Sequence, residues 1–119
     1  MGACILFSKD EIIERVEDKF KSAYVNGRYW DAFGDLLDAV FLPDYSKLHE
    51  VIKSEEGEYL KFYSFVDLDK YEFNTAVKLI RGYVAKQQNP TEWQKMAQVV
   101  WNEIAEPYIV NDERYELNY

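Results

Sequence analysis

The chain has 119 residues, enough for one cored domain and too few for two ordinary ones, and its 48% apolar content excludes wholesale disorder. A formal charge of −8, from 22 acids against 14 bases, argues against direct nucleic-acid binding, because phosphate contacts need Lys and Arg gathered on one face. The lone Cys4 excludes an internal disulfide and a cysteine-built zinc site, and no apolar stretch reaches the length of a membrane span.

In chain order, Ala3-Cys4-Ile5-Leu6-Phe7 is apolar but too short for a signal peptide, and no positive charge precedes it, so a cytoplasmic protein is expected. Cys4 reads as a small buried hydrophobe. Ser8 and Glu11 then form a capping-box pattern that predicts a helix over roughly 9–25, with Ile12, Ile13, Val16, Phe20, Ala23 and Tyr24 at helical spacing and Asn26-Gly27 as its stop. A second helix is predicted from about Tyr29 to Phe41 on the stripe Trp30, Phe33, Leu37, Val40 and Phe41, ended by Pro43. Gly34 inside it weakens the helix by about 1 kcal/mol relative to Ala and allows close packing.

Ser46 can cap a short third helix that carries Leu48, Val51 and Ile52 and stops at Gly57. The stretch 59–66 suits either a helical face or a strand. It reads as helix, since no partner strand lies nearby in sequence; with the N-terminal run it is the only strand candidate. Asp69 and Glu72 form another capping box, opening a helix with Phe73, Ala76, Val77, Ile80 and Val84 inward. Asn89-Pro90-Thr91-Glu92 reads as the start of a last helix, with Asn89 as N-cap, that buries Trp93, Met96, Ala97, Val100, Trp101 and Ile104 before Pro107 closes it. The short connection predicts an antiparallel hairpin of these two helices over about 70–105. After it, Tyr108, Ile109 and Val110 can pack back, and the remaining tail reads as exposed and acidic. The expected fold is all-α: one single-domain bundle, residues 1–119, of about five helices.

The search for chemistry is mostly negative. His49 is the only histidine, so any Ser-His-Asp or Cys-His arrangement depends on one residue beside Glu50 on a short helix. No Glu-x-x-His or His-Glu-x-x-His pattern occurs, and the glycines are scattered singly, so no metal, cofactor or phosphate site is expected, and no enzyme. One constellation carries more content. On helical geometry Asp31, Asp35 and Asp38 fall within about 60° of one another, opposite the apolar stripe. Like charges at this spacing repel, so a helix tuned for stability alone would more often place Lys among them. From Asp31 to Glu58 eight acids (Asp31, Asp35, Asp38, Asp44, Glu50, Glu55, Glu56 and Glu58) stand against Lys47 and Lys53, with Tyr29, Tyr45 and Tyr59 interleaved. A solvated acidic face is the plain reading. An electrostatic docking surface with aromatic anchors is the functional one, and a basic partner fits it: acids steer a cationic surface and Tyr rings supply dwell time. Nucleases present such a surface, since a substrate groove for nucleic acid is basic. The expected contacts are Asp31, Asp35, Asp38, Asp44, Glu55, Glu56 and Glu58 with Tyr29, Tyr45 and Tyr59.

In size, helical pattern and the Asp31 to Glu58 acid-and-tyrosine stretch, the chain resembles the small acidic immunity proteins of bacterial toxin systems, of the colicin and contact-dependent growth inhibition types. The resemblance implies a cytoplasmic antidote that binds a cognate basic toxin domain, commonly a nuclease, and blocks its active site or a cofactor-binding surface. It implies no contact with nucleic acid or membrane. A phage-encoded inhibitor of a host defence nuclease would share this chemistry, and a small helical regulatory module is the third reading.

Overall fold

The computed structural model describes residues 3–9 and 20–116. The fold is α+β, not the all-α bundle expected, because a three-stranded sheet lies at its centre in the order β2-β1-β3. Strand β1 (Ala3–Lys9) alternates cleanly: Ala3, Ile5 and Phe7 are buried, while Cys4, Leu6 and Ser8 are half-buried, the period of a pleated strand. It runs antiparallel to β2 (Phe20–Val25), pairing Ala3 with Val25 and Ile5 with Ala23, with an irregularity between Leu6 and Ser8. On its other side it runs parallel to β3 (Phe62–Ser64), pairing Cys4 with Phe62 and Leu6 with Ser64.

Two sequence expectations fail here for one reason. The helix predicted over 9–25 gives way to strand at Lys9 and at Phe20–Val25; its middle lies outside the described residues. The stretch 59–66, read as helix, holds β3 at its centre. In both cases the pairing partner is β1, and for β3 it lies more than 50 residues away in the chain, so local periodicity could not reveal it. Asn26-Gly27 marks a helix start and not a stop: the Asn26 side chain accepts from Arg28 N and caps α1 (Gly27–Phe41).

Helix α1 buries Trp30, Phe33, Leu36, Leu37 and Phe41, close to the predicted stripe, and Pro43 follows its end. Helix α2 (Ser46–Ile52) buries Leu48 and Ile52, but Tyr45, not Ser46, occupies its cap position. A further helix, α3 (Glu55–Leu60), follows at once, capped by Ser54, whose hydroxyl accepts from Gly57 N at 3.0 Å. Gly57 therefore sits inside α3 and does not end α2; a Cβ there would lie 2.4 Å from the Phe62 carbonyl oxygen. Lys61, at φ 64°, makes the left-handed turn from α3 into β3.

Helix α4 (Lys70–Lys86) has the predicted reciprocal capping box of Asp69 and Glu72 and buries Phe73, Ala76, Val77 and Ile80. Helix α5 (Glu92–Val99) is capped by Thr91 with Gln94, not by Asn89, which takes φ 51° in the connection. Its closest helix neighbour is α1, so the expected hairpin is not a self-contained pair. The helix does not stop at Pro107. Residues Val100–Ala105 form a π-helical turn, and α6 (Glu106–Val110) continues with Pro107 in its first turn. The wider turn changes the hydrogen-bond register just where the Pro ring lacks a donor and would clash with an α-helical carbonyl. Trp101 is 1% exposed, as expected of a core residue; Trp93 is 36% exposed, against expectation.

Candidate partner-binding face

Helix α1 presents Asp31, Asp35 and Asp38 on the side away from the sheet core, and the structure separates their roles. Asp38 is engaged: its Oδ1 lies 2.7 Å from His49 Nε2, and both its oxygens accept from Lys53 Nζ, at 2.9 and 3.0 Å. Burial pushes its carboxyl up, but hydrogen bonds and charge from Lys53 and His49 outweigh this and hold it below the ordinary carboxylate value. Asp38 thus fastens α1 to α2, so of the expected stripe of three acids without a cation only Asp31 and Asp35 remain. His49, half-buried on α2, makes this anchoring contact. Asp35 is exposed and accepts from the Trp93 indole at 2.7 Å. Asp31 is exposed, with no hydrogen bond or ion pair among the described residues.

Asp31 and Asp35 form one wall of a cleft of about 330 Å³, and Glu58, Lys53, Lys61, Trp30 and Tyr63 complete it. Its base is a stacked pair: Trp30 and Tyr63 lie 4.1 Å apart between ring centres, tilted by only 3°. The Trp30 indole donates to the Cys4 carbonyl, which ties the stack to β1. Gly34 makes the approach of Tyr63 to α1 feasible, since a Cβ there would lie 2.1 Å from the Tyr63 oxygen. Lys61 Nζ sits over the Trp30 ring at 5.4 Å. Burial, reinforced by Asp31, Asp38, Glu58 and Asp35, pushes the Tyr63 phenol up, so it remains a neutral hydroxyl. A second, more apolar hollow of about 270 Å³ lies beyond Asp35, against Leu36, Tyr83 and Trp93.

The structure therefore brings together three of the sequence-predicted contacts, Asp31, Asp35 and Glu58. Tyr59 follows Glu58 and is 87% exposed. Glu55 and Glu56 are exposed in the first turn of α3, where the helix dipole already favours acids. Tyr29 is exposed at the start of α1; Asp44 and Tyr45 are exposed beyond its other end, off the cleft. Sequence reasoning missed Trp30 and Tyr63 as cleft residues, because both carried an apolar signal, and missed Lys53 and Lys61 because their acidic surroundings dominated the count. The one available signal was Gly34, whose place inside a helix already asked for close packing.

Among the described residues no group of three or more His, Cys, Asp or Glu is placed to hold a metal ion, and no helix is long and apolar enough to cross a membrane. No family model matches the chain, and neither a curated protein nor a solved structure matches it.

Proposed function

We propose that this chain is a non-catalytic inhibitor of the immunity type, acting in the cytoplasm, whose α1–α3 face docks on a basic toxin domain, in the first instance a nuclease. The observation that carries this reading is the pair Asp31 and Asp35, exposed side by side on α1 with no cation within ion-pair distance of either among the described residues, and joined across a cleft by Glu58, whose nearest cation, Lys53 at 3.9 Å, also holds Asp38. Asp35 accepts from the Trp93 indole of α5, but the two charges gain no cation from the fold. Like charges one turn apart destabilise a helix by a few tenths of a kcal/mol. The arrangement does create a negative field that raises the rate of encounter with a cationic surface. Exposed Tyr29 and Tyr59 flank the field and supply apolar contact with few rotatable bonds.

The direct test is protection. Co-expression with the toxin domain encoded beside it should restore growth of cells that the domain alone kills, and the two should co-purify. A toxin domain that kills equally well in the presence of folded, abundant chain would contradict the proposal.

A further inference from the structure

One polar group in the cleft has no structural use. Tyr63 is only 2% exposed, yet its hydroxyl makes no hydrogen bond among the described residues. It is not sealed inside the core either: the only buried side-chain polar atom without a partner among the described residues is Trp101 Nε1. The Tyr63 oxygen therefore opens to the cleft that Tyr63 lines, against Gly34 and amid the carboxylates of Asp31, Asp35 and Glu58. A hydroxyl that no neighbouring side chain engages is free to accept from a ligand group.

We infer that this cleft is a subsite for a single guanidinium group, held by Asp31, Asp35 and Glu58 and donating to the Tyr63 oxygen, with the Lys61 ammonium as the cation it displaces. The inference rests on the inhibitor reading for its source, an arginine side chain on the partner's basic surface. An anion is disfavoured by the charge balance: three carboxylates face Lys61 and Lys53, and Lys53 is already bound to both oxygens of Asp38 and stands 3.9 Å from Glu58. Arginine suits the site better than lysine for two reasons. Its five donors in a planar fork match acceptors that converge from three carboxylates and a phenol, whereas an ammonium has three. Its flat face can also take the place over Trp30 that Lys61 now holds, where cation and ring already stand 5.4 Å apart. Lys61 is a suitable placeholder: its side chain is exposed and makes no ion pair among the described residues.

The test is titration of the full chain with N-acetyl-arginine amide, followed by the nitrogen–proton resonances of the Trp30 indole and the Gly34 amide, with N-acetyl-lysine amide as comparison. Saturable shifts at both positions are expected, with the arginine derivative bound more tightly. Tyr63→Phe should weaken arginine binding about tenfold, the value of one hydrogen bond to a charged group. Lys61→Gly should tighten it severalfold, a gain that misfolding cannot produce; an unmoved Trp101 indole confirms the fold in each variant. Equal affinity for the two derivatives, or arginine affinity unchanged by Tyr63→Phe, overturns the inference. If the subsite fails while the chain still protects against its toxin, the inhibitor reading stands with another contact; if arginine binds as described but no toxin domain is captured, the subsite stands and the inhibitor reading falls.

Discussion

The protein uses its acids in two opposite ways, and the carboxyl-terminal tail and the α1 face show them side by side. In the tail most charges are spent on structure; the exposed Glu113 is the exception. Arg114 donates to the carbonyls of Phe7, Phe65 and Leu68, forms two bonds with Asp112, and lies over the Phe73 ring at 4.2 Å. Asp112 is almost wholly covered, with a side chain 2% exposed. Asn74 clamps the same segment by donating to the Arg114 carbonyl and accepting from Glu116 N. Arg81 forks onto Glu106 and donates to the Tyr115 hydroxyl, and Lys70 pairs with Glu116. On the α1 face Asp31 has no such partner among the described residues, Asp35 has only the Trp93 indole, and Glu58 has only the distant Lys53 at 3.9 Å; all three stay exposed around an open cleft. The contrast teaches that the fold matches its covered carboxylates with cations, as at Asp112, and leaves Asp31 and Asp35 without one.

The sharpest way to break this comparison is at the tail. Arg114→Ala removes the donors to three strand and loop carbonyls and leaves the Asp112 charge covered without its cation. It should destabilise the protein by about 3–5 kcal/mol in chemical denaturation. A loss below about 1 kcal/mol would show that the tail is decoration.

Next in size is the packing that shapes the cleft. Gly34→Ala forces a methyl group onto the Tyr63 oxygen and should cost about 1–3 kcal/mol. Adding Tyr63→Phe to that variant should recover most of the loss, because the closest contact is with the hydroxyl. A double variant no more stable than Gly34→Ala would mean that the strain lies elsewhere.

Smaller still is the Asp38 anchor, and it has a pH signature. Its native carboxyl titrates below its ordinary value of 3.8, so the stability it contributes is fully present above about pH 4 and is lost as pH falls through the lowered native value. Asp38→Asn should therefore be less stable than the parent at neutral pH, and the gap should close as pH falls. A gap that widens in acid would reverse the assignment. Asp31→Asn, by comparison, should change stability by less than about 0.5 kcal/mol at any pH, since the side chain touches nothing that the fold uses.

How much of this was legible in the sequence follows from the range of each interaction. The buried stripes of α1 and α4, the Asp69–Glu72 box and the acid excess of the α1–α3 stretch are local patterns, and they were readable. The sheet was not, because Ile5, Ala23 and Tyr63 meet across long stretches of chain and β3 is only three residues long. Asn26-Gly27 is ambiguous in sequence because both residues suit either end of a helix, and here Asn26 caps the start of α1. Within the site, the acids were legible as a group but their sorting was not. That Asp38 is spent on Lys53 and His49, while Asp31 is free of partners among the described residues, depends on α2 packing beside α1. The tail misled for the same reason: nothing near Arg114 in sequence announces that Phe7, Phe65 and Leu68 converge on it.

The central claim is that the open acids of α1 exist for a partner, and the association rate tests it most directly. Binding of a basic toxin domain captured by the parent chain should be followed by surface plasmon resonance at two salt concentrations for the parent, Asp31→Lys with Asp35→Lys, and Asp38→Lys. The Asp31 and Asp35 double variant should associate much more slowly at low salt while keeping its fold, and the defect should shrink as salt rises, because screening removes the long-range attraction. Asp38→Lys should instead lose stability, as a second ammonium meets Lys53. Association by the double variant at the parent's rate at both salt concentrations would contradict the account and place the partner on another face of the molecule.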